Sequence, residues 1–160
     1  MSNNMIDGFN PVFSKESKVL ILGSFPSVPS RAEGFYYGNK RNRFWSTLAK
    51  IYKTQKPETV EEKTDFIIAN KLALWDIVVS CDIVGSKDED LKNYKVANLN
   101  EILSQSKIDT VICNGKKCYE IYSSNYRLPV KVYQLPSTSP ANVSFDEDKW
   151  IEVFKEILNG

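Results

Sequence analysis

The stretch KVLILG, residues 18–23, decides the fold, together with the string Ser24-Phe25-Pro26-Ser27 that follows it directly. A continuous apolar run of this length, bounded by turn-forming residues, reads as a buried strand ending in a loop. Three more runs share its character: residues 72–79 (LALWDIVV), 110–113 and 130–135. Helical patterns lie around them. Phe44, Trp45, Leu48 and Ile51 recur at helical spacing over residues 42–51. A second helix is expected over 60–70 with Phe66 and Ile67 buried, and a third, capped by Asn98 or Asn100, through Leu103. Asn114-Gly115 leads into a short helix ending near Tyr122, and Asp146 or Asp148 opens a last helix through Leu158. The polar residues 80–94 read as a long loop turning at Gly85-Ser86. Short buried strands alternating with helices imply an α/β protein, a three-layer α/β/α sandwich around a central four-stranded parallel sheet. With no repeat, low-complexity tract or linker, residues 1–160 are expected to form one domain. Sites in such sheets form beyond the carboxyl ends of the strands, where the loops after Leu22 and Leu135 lie.

Composition narrows the chemistry. Apolar residues make up 42% and charged residues 26% of the chain, a globular profile. The apolar runs are too short to span a membrane, and the N-terminus lacks a signal-peptide layout, so the protein is expected in the cytoplasm. Cys81, Cys113 and Cys118 form neither a disulfide framework nor paired zinc spacings, and three cysteines cannot fill a four-cysteine iron–sulfur site. They read as reduced thiols. The chain has no histidine, which removes Ser-His-Asp and Cys-His nucleophiles and most catalytic zinc sites. Carboxylates, amides, hydroxyls, lysines or bound water must do the work, with no metal and no cofactor expected. Net charge is only +1, yet between Arg31 and Lys56 the basic residues Arg31, Lys40, Arg41, Arg43, Lys50, Lys53 and Lys56 face Glu33 alone. The balancing acids cluster at Asp88-Glu89-Asp90 and Asp146-Glu147-Asp148. A basic face on a neutral protein suits a phosphate-bearing partner; an ordinary solvated face looks the same.

Three segments stand out. Residues 23–30 (GSFPSVPS) combine glycine, prolines and serines, so Gly23, Ser24 and Ser27 can hold phosphate or orient water, although a stiffened connector has the same composition. Residues 34–45 (GFYYGNKRNRFW) set three aromatics before amides and basic residues. Aromatic faces can stack an extruded base, amides can read its edge, and Lys40 and Arg41 can meet phosphates. Phe44 and Trp45 also read as core anchors of the helix. Residues 135–142 (LPSTSPAN) form a hydroxyl-rich loop pinned by Pro136 and Pro140, suited to phosphate oxygens or serving as a plain connector.

Taken in order, KVLILGSFPS, FYYGNKRNRFW, LALWDIVVSCDIVGSKDEDL, VICNG and LPSTSPAN resemble the uracil-DNA glycosylase superfamily, and within it the hypoxanthine-DNA (deoxyinosine) glycosylase branch. The resemblance spans almost the whole chain and implies the same four-stranded parallel sheet. Most members carry a catalytic Asn or Asp in the first loop, where this chain has Phe25. Phenylalanine cannot activate water, a departure itself characteristic of that branch. The resemblance then assigns catalysis to Asn39 and base stacking to Tyr37, with Phe25 on the other side of the base. Main-chain groups of residues 24–27 would stabilise the departing base. Asp76 and Asn114, at strand ends, are candidates for reading the base edge or assisting water; a strand-end turn and a helix cap are their plainer readings. Lys40, Arg41, Arg43, Ser137, Thr138, Ser139 and Asn142 are candidates for DNA contact. The expected activity is hydrolysis of the N-glycosidic bond of a deaminated base, hypoxanthine first, in DNA, by a monomer. Uracil or mismatch excision and a non-catalytic nucleic-acid or nucleotide binding module are the alternatives.

Overall fold

A computed structural model describes residues 5–26, 28–83 and 91–159. Strand β1 (Met5–Asp7) precedes β2 (Val19–Gly23), the run that opened the sequence reading, and every residue of β2 is buried. Helices α1 (Val28–Glu33), α2 (Phe44–Tyr52) and α3 (Val60–Ala69) follow, then β3 (Leu72–Asp76), β4 (Val78–Ile83) and β5 (Leu91–Val96). The chain continues through α4 (Leu99–Ser104), β6 (Thr110–Asn114), α5 (Lys116–Asn125), β7 (Lys131–Leu135) and α6 (Glu147–Asn159).

Four of these strands form the expected parallel sheet, in the order β3-β2-β6-β7. Side chains of a strand alternate between faces, and the two cores follow that alternation. Leu20, Leu22, Val111 and Cys113 pack on one face with Leu99, Ile102, Ile121 and Tyr122 of α4 and α5. Val19, Ile21, Leu72, Leu74 and Ile112 pack on the other with Phe44, Trp45, Leu48, Ile67, Trp150 and Phe154 of α2, α3 and α6. The three-layer α/β/α arrangement follows directly. Cys113 and Cys118 are free and buried, and Cys118 Sγ donates to Leu22 O at 3.3 Å.

Helix starts follow their local chemistry. Thr59 and Glu62 exchange side-chain and backbone hydrogen bonds in a capping box before α3. Asp146 Oδ1 accepts from Asp148 N at 3.1 Å, which places it ahead of Asp148 as the residue that opens α6. Asn98 precedes α4 without a side-chain cap hydrogen bond.

The structure corrects the sequence reading in three places. Residues 72–79 are not one strand: the parallel strand β3 ends at Asp76, and β4 leaves for a second, antiparallel sheet ordered β1-β4-β5. The polar segment 80–94 therefore contributes strand at both ends. A strand pair with a solvated side accepts polar residues and gives no continuous apolar signal; Tyr94 and Lys95 are exposed while Ala97 just beyond is buried. The segment after Pro26 is helical from Val28 rather than loop to Ser30. The expected turn at Gly85-Ser86, and Ser27, lie outside the described residues. Among the described residues no helix is long and apolar enough to cross a membrane.

Candidate active site

The parallel strands β2, β3 and β6 end at Gly23, Asp76 and Asn114. The chain runs from β2 to β3 on one side and later returns to β6 on the other, so β2 and β6 diverge at a topological switch point, where α/β sheets open a crevice. A crevice of about 730 Å³ lies there, inside the range of roughly 300–1,000 Å³ that holds a small ligand. It brings together Gly23, Ser24, Phe25, Tyr37, Asn39, Asp76, Asn114, Ser137, Thr138, Ser139 and Asn142, from segments far apart in the chain. Asp76 is the one carboxylate among its described lining residues. Lys40 lines a smaller cavity of about 100 Å³ that shares the walls Tyr37, Asn39 and Asn42. Arg41 is exposed beside it.

Tyr37, Gly38 and Asn39 are held by α1 and by their own turn. Ser30 Oγ accepts from Gly38 N at 2.9 Å, and a Cβ at Gly38 would stand 2.7 Å from Glu33 Cβ, so only glycine lets this segment lie on the end of α1. Tyr37 adopts φ 53°, a left-handed conformation costly for a bulky residue. Its ring stacks on Phe44 with centroids 4.0 Å apart and planes at 22°. One ring face is thus occupied, and the residue still borders the crevice. The Tyr37 hydroxyl is driven to the back wall. A Cβ at Gly23 would be 2.6 Å from Asp76 Oδ1 and 3.0 Å from Tyr37 Oη, so both polar ends use the space of the missing side chain. Burial, then the Asp76 charge, pushes the Tyr37 phenol well above its ordinary value of 10.0, keeping it a donor. Asn39 Oδ1 accepts from Arg41 N at 2.9 Å and Asn39 O from Asn42 N at 2.9 Å. This turn fixes which end of the amide is which, leaving one Oδ1 lone pair and the amide N–H groups for another partner.

Two of the expected residues have partners within the protein. Asn114 does not cap α5. Its Nδ2 donates to Thr138 Oγ1 at 3.0 Å and its Oδ1 accepts from Thr138 N at 3.1 Å, a reciprocal pair in which Asn114 is 9% and Thr138 1% exposed. Each end of the amide gives one bond to the loop after β7, so the side chain holds a crevice wall together and keeps one N–H and one lone pair toward the crevice side chains. Arg43 is likewise turned inward. Its Nη2 donates to Ser139 O and Asn142 O, each at 2.7 Å, and its guanidinium lies 4.4 Å from the centre of the Phe145 ring. Arg43 thus joins the start of α2 to the loop after β7. The hydroxyls of Ser137 and Ser139 accept from Ser139 N and Ala141 N, both at 3.2 Å, and retain their O–H donors. Phe25 lines the crevice with Arg31 5.9 Å above its ring centre.

Nine lining residues were not named as site candidates from the sequence, among them Ser30, Asn42, Lys116 and Lys117. The lysine pair follows Asn114-Gly115 at the first turn of α5 and was legible as charge beside a strand-end amide. Ser30 gave no signal, because its role depends on the unforeseen α1. Among the described residues no group of three or more His, Cys, Asp or Glu side chains stands close enough to hold a metal ion.

Residues 11–159 match the family model for the uracil DNA glycosylase superfamily. The chain is 29% identical over 153 residues to a hypoxanthine DNA glycosylase of Methanosarcina acetivorans, covering 92% of this chain and 97% of the relative. A hypoxanthine DNA glycosylase of Methanosarcina barkeri is 28% identical over the same length, with the same coverage. A solution NMR structure of a Methanosarcina acetivorans protein superposes with a TM-score of 0.83 at 28% identity, covering 95% of this chain and 98% of that one. On sequence over nearly its full length, and on fold, the chain belongs to the uracil DNA glycosylase superfamily.

Proposed function

We propose that this protein is a DNA glycosylase that flips hypoxanthine out of DNA and hydrolyses its N-glycosidic bond with water, acting as a monomer in the cytoplasm. The observation that carries the reading is the meeting of Asn39, Tyr37, Phe25 and Asp76 in one crevice, with an apolar ring where a water-activating group would otherwise stand in the first loop. The relatives named above are hypoxanthine DNA glycosylases, which supports the same substrate here. The free, buried thiols suit a reducing compartment.

The deaminated base pairs weakly, so extruding it costs less than extruding a normal base. Its ring would lie against Tyr37 and Phe25. Asp76 would accept from the N–H edge of the purine, a match that a carboxylate makes and an amide oxygen makes less strongly. Cleavage passes through an oxocarbenium-like sugar. Asn39 is too weak a base to deprotonate water; it would orient the nucleophile through the amide groups that its turn leaves available. Main-chain donors around Ser24 would meet charge on the departing base, and the DNA phosphates would stabilise the cationic sugar. Lys40, Arg41, Lys116 and Lys117 form the cationic surroundings for those phosphates, with the Ser137 and Ser139 hydroxyls beside them.

A panel of duplexes carrying single inosine, uracil or xanthine lesions tests the reading. Release of hypoxanthine is expected, and Asn39→Ala should slow it by about 100-fold while lesion DNA still binds. Efficient uracil release without hypoxanthine release would overturn the substrate, and DNA binding without any excision by the wild type would leave a binding module instead.

A further inference from the structure

The turn bearing Asn39 and the loop after β7 line the same crevice from segments far apart in the chain. Here a single residue joins them. Arg43 closes the turn, three residues after Lys40, and its main-chain N donates to Thr138 O at 3.1 Å. Its Nη2 reaches two further carbonyls, Ser139 O and Asn142 O, at 2.7 Å each. The carbonyls are fixed in turn. Thr138 is locked to Asn114, Asn142 N donates to Ser139 O at 3.0 Å, and Asn142 Nδ2 donates to Ser137 O at 3.0 Å. On the other side, Asn39 O accepts from Asn42 N and Asn42 Oδ1 from Phe44 N, each at 2.9 Å, so no slack separates Asn39 from Arg43.

From this geometry we infer that Arg43 is a positioning residue, which transmits the seating of residues 137–142 on DNA to the water-orienting amide of Asn39. The inference rests on the glycosylase reading given above. A side chain reserved for phosphate would keep its guanidinium at the surface. This one spends charge-assisted donors on neutral carbonyls, keeps Nε buried without a hydrogen-bond partner and lies over the ring of Phe145. A planar fork can join two carbonyls in fixed geometry, whereas an ammonium on a flexible stem cannot hold them with the same orientation. Displacing a catalytic group by about 1 Å can cost about 100-fold in rate, so the rigidity of this link matters for the chemical step more than for affinity.

The test compares wild type, Arg43→Met, Arg43→Lys, Asn39→Ala and the double variant Asn39→Ala/Arg43→Met on an inosine duplex. Single-turnover excision and the salt dependence of binding are measured, and amide hydrogen exchange is followed in residues 39–42 and 137–142. Both Arg43 variants are expected to lose at least about 10-fold in single-turnover rate. The slope of binding against salt should stay unchanged, and both segments should lose exchange protection together. In the Asn39→Ala background the Arg43 substitution should add little, because the two act as one unit. A salt slope smaller by about 1 would make Arg43 a phosphate contact and overturn the proposal. So would full additivity with Asn39→Ala, an unchanged rate, or protection lost only in residues 137–142. Arg43→Lys keeps the charge and much of the stem, and it decides the matter if Arg43→Met does not fold. Absence of excision by the wild type would mark failure of the glycosylase reading, and the exchange measurement would still read the coupling.

Discussion

Gly23 shows how much of the site is set by a side chain that is missing. Its position at the end of β2, in register with Asp76 on β3, brings a carboxylate oxygen and the Tyr37 hydroxyl into the volume a Cβ would occupy. Neither can retreat cheaply. Asp76 is short and 4% exposed, and the Tyr37 ring is held by Phe44 on one face. Gly23→Ala is therefore expected to fold with a loss of about 1–3 kcal/mol from overpacking. It should lose excision more than affinity for DNA, because the proposed reaction sets the displaced groups against the base and not against the DNA backbone. Thermal unfolding and single-turnover excision check both parts; an unchanged rate would show that the Asp76 and Tyr37 placement is unimportant. The same scale shows what sequence could reveal. Asn39, Tyr37, Phe25 and Asp76 were legible as residue types in ordered motifs, and the crevice collects them. That Asn114 and Arg43 bind partners inside the protein was not legible, because those partners lie 24 and 96–99 residues away.

The helices beneath the site are tied by Glu147, in the first turn of α6. Its two carboxylate oxygens accept from Thr47 Oγ1 at 3.0 Å and Lys50 Nζ at 2.8 Å, both on α2, whose N-terminus follows Arg43. The Lys50 hydrogen bond, assisted by that of Thr47 and opposed by partial burial, holds the Glu147 carboxyl below its ordinary value of 4.5. A carboxylate depressed in the folded state contributes stability that is complete above the unfolded value and is lost as pH falls through the folded one. Glu147→Gln should thus lower Tm by about 1–3 °C at pH 7, a small effect because the pair is partly solvated. The difference should close as pH drops below 4.5, and a deficit that persisted at pH 2.5 would assign the effect to packing. Elements such as α2 and α6 were readable from helical spacing because each buries a stripe of large apolar residues. The antiparallel pair β4 and β5 was not, since a solvated strand carries polar residues that composition reads as loop. Helix α1 was hidden by Pro29 and serines, although proline is tolerated in a first helical turn.

Across the whole molecule the net charge of +1 provides little long-range attraction for DNA, so binding must depend on where the cations stand. Lys116 and Lys117 are informative because they sit at the wrong end of a helix. They open α5, whose first turn holds no acidic residue, and there the macrodipole is already positive. They therefore work against the stability of α5, yet both are exposed on the crevice that also holds Asn39 and the 137–142 loop. Such a placement is offset when an anion arrives, and the anion the proposed reaction brings is a DNA phosphate. Each phosphate neutralised releases counterions and steepens the salt dependence of binding by about 0.9. Lys116→Ala and Lys117→Ala should each reduce that slope by about 1, and the double variant by about 2, without slowing excision at saturating enzyme and low salt. The same substitutions should raise Tm slightly, since they remove a cation from a helix N-terminus. A lower Tm with an unchanged slope would mean that the lysines serve the fold. A flatter slope together with a higher Tm would show that the charge was placed there for binding at the expense of stability.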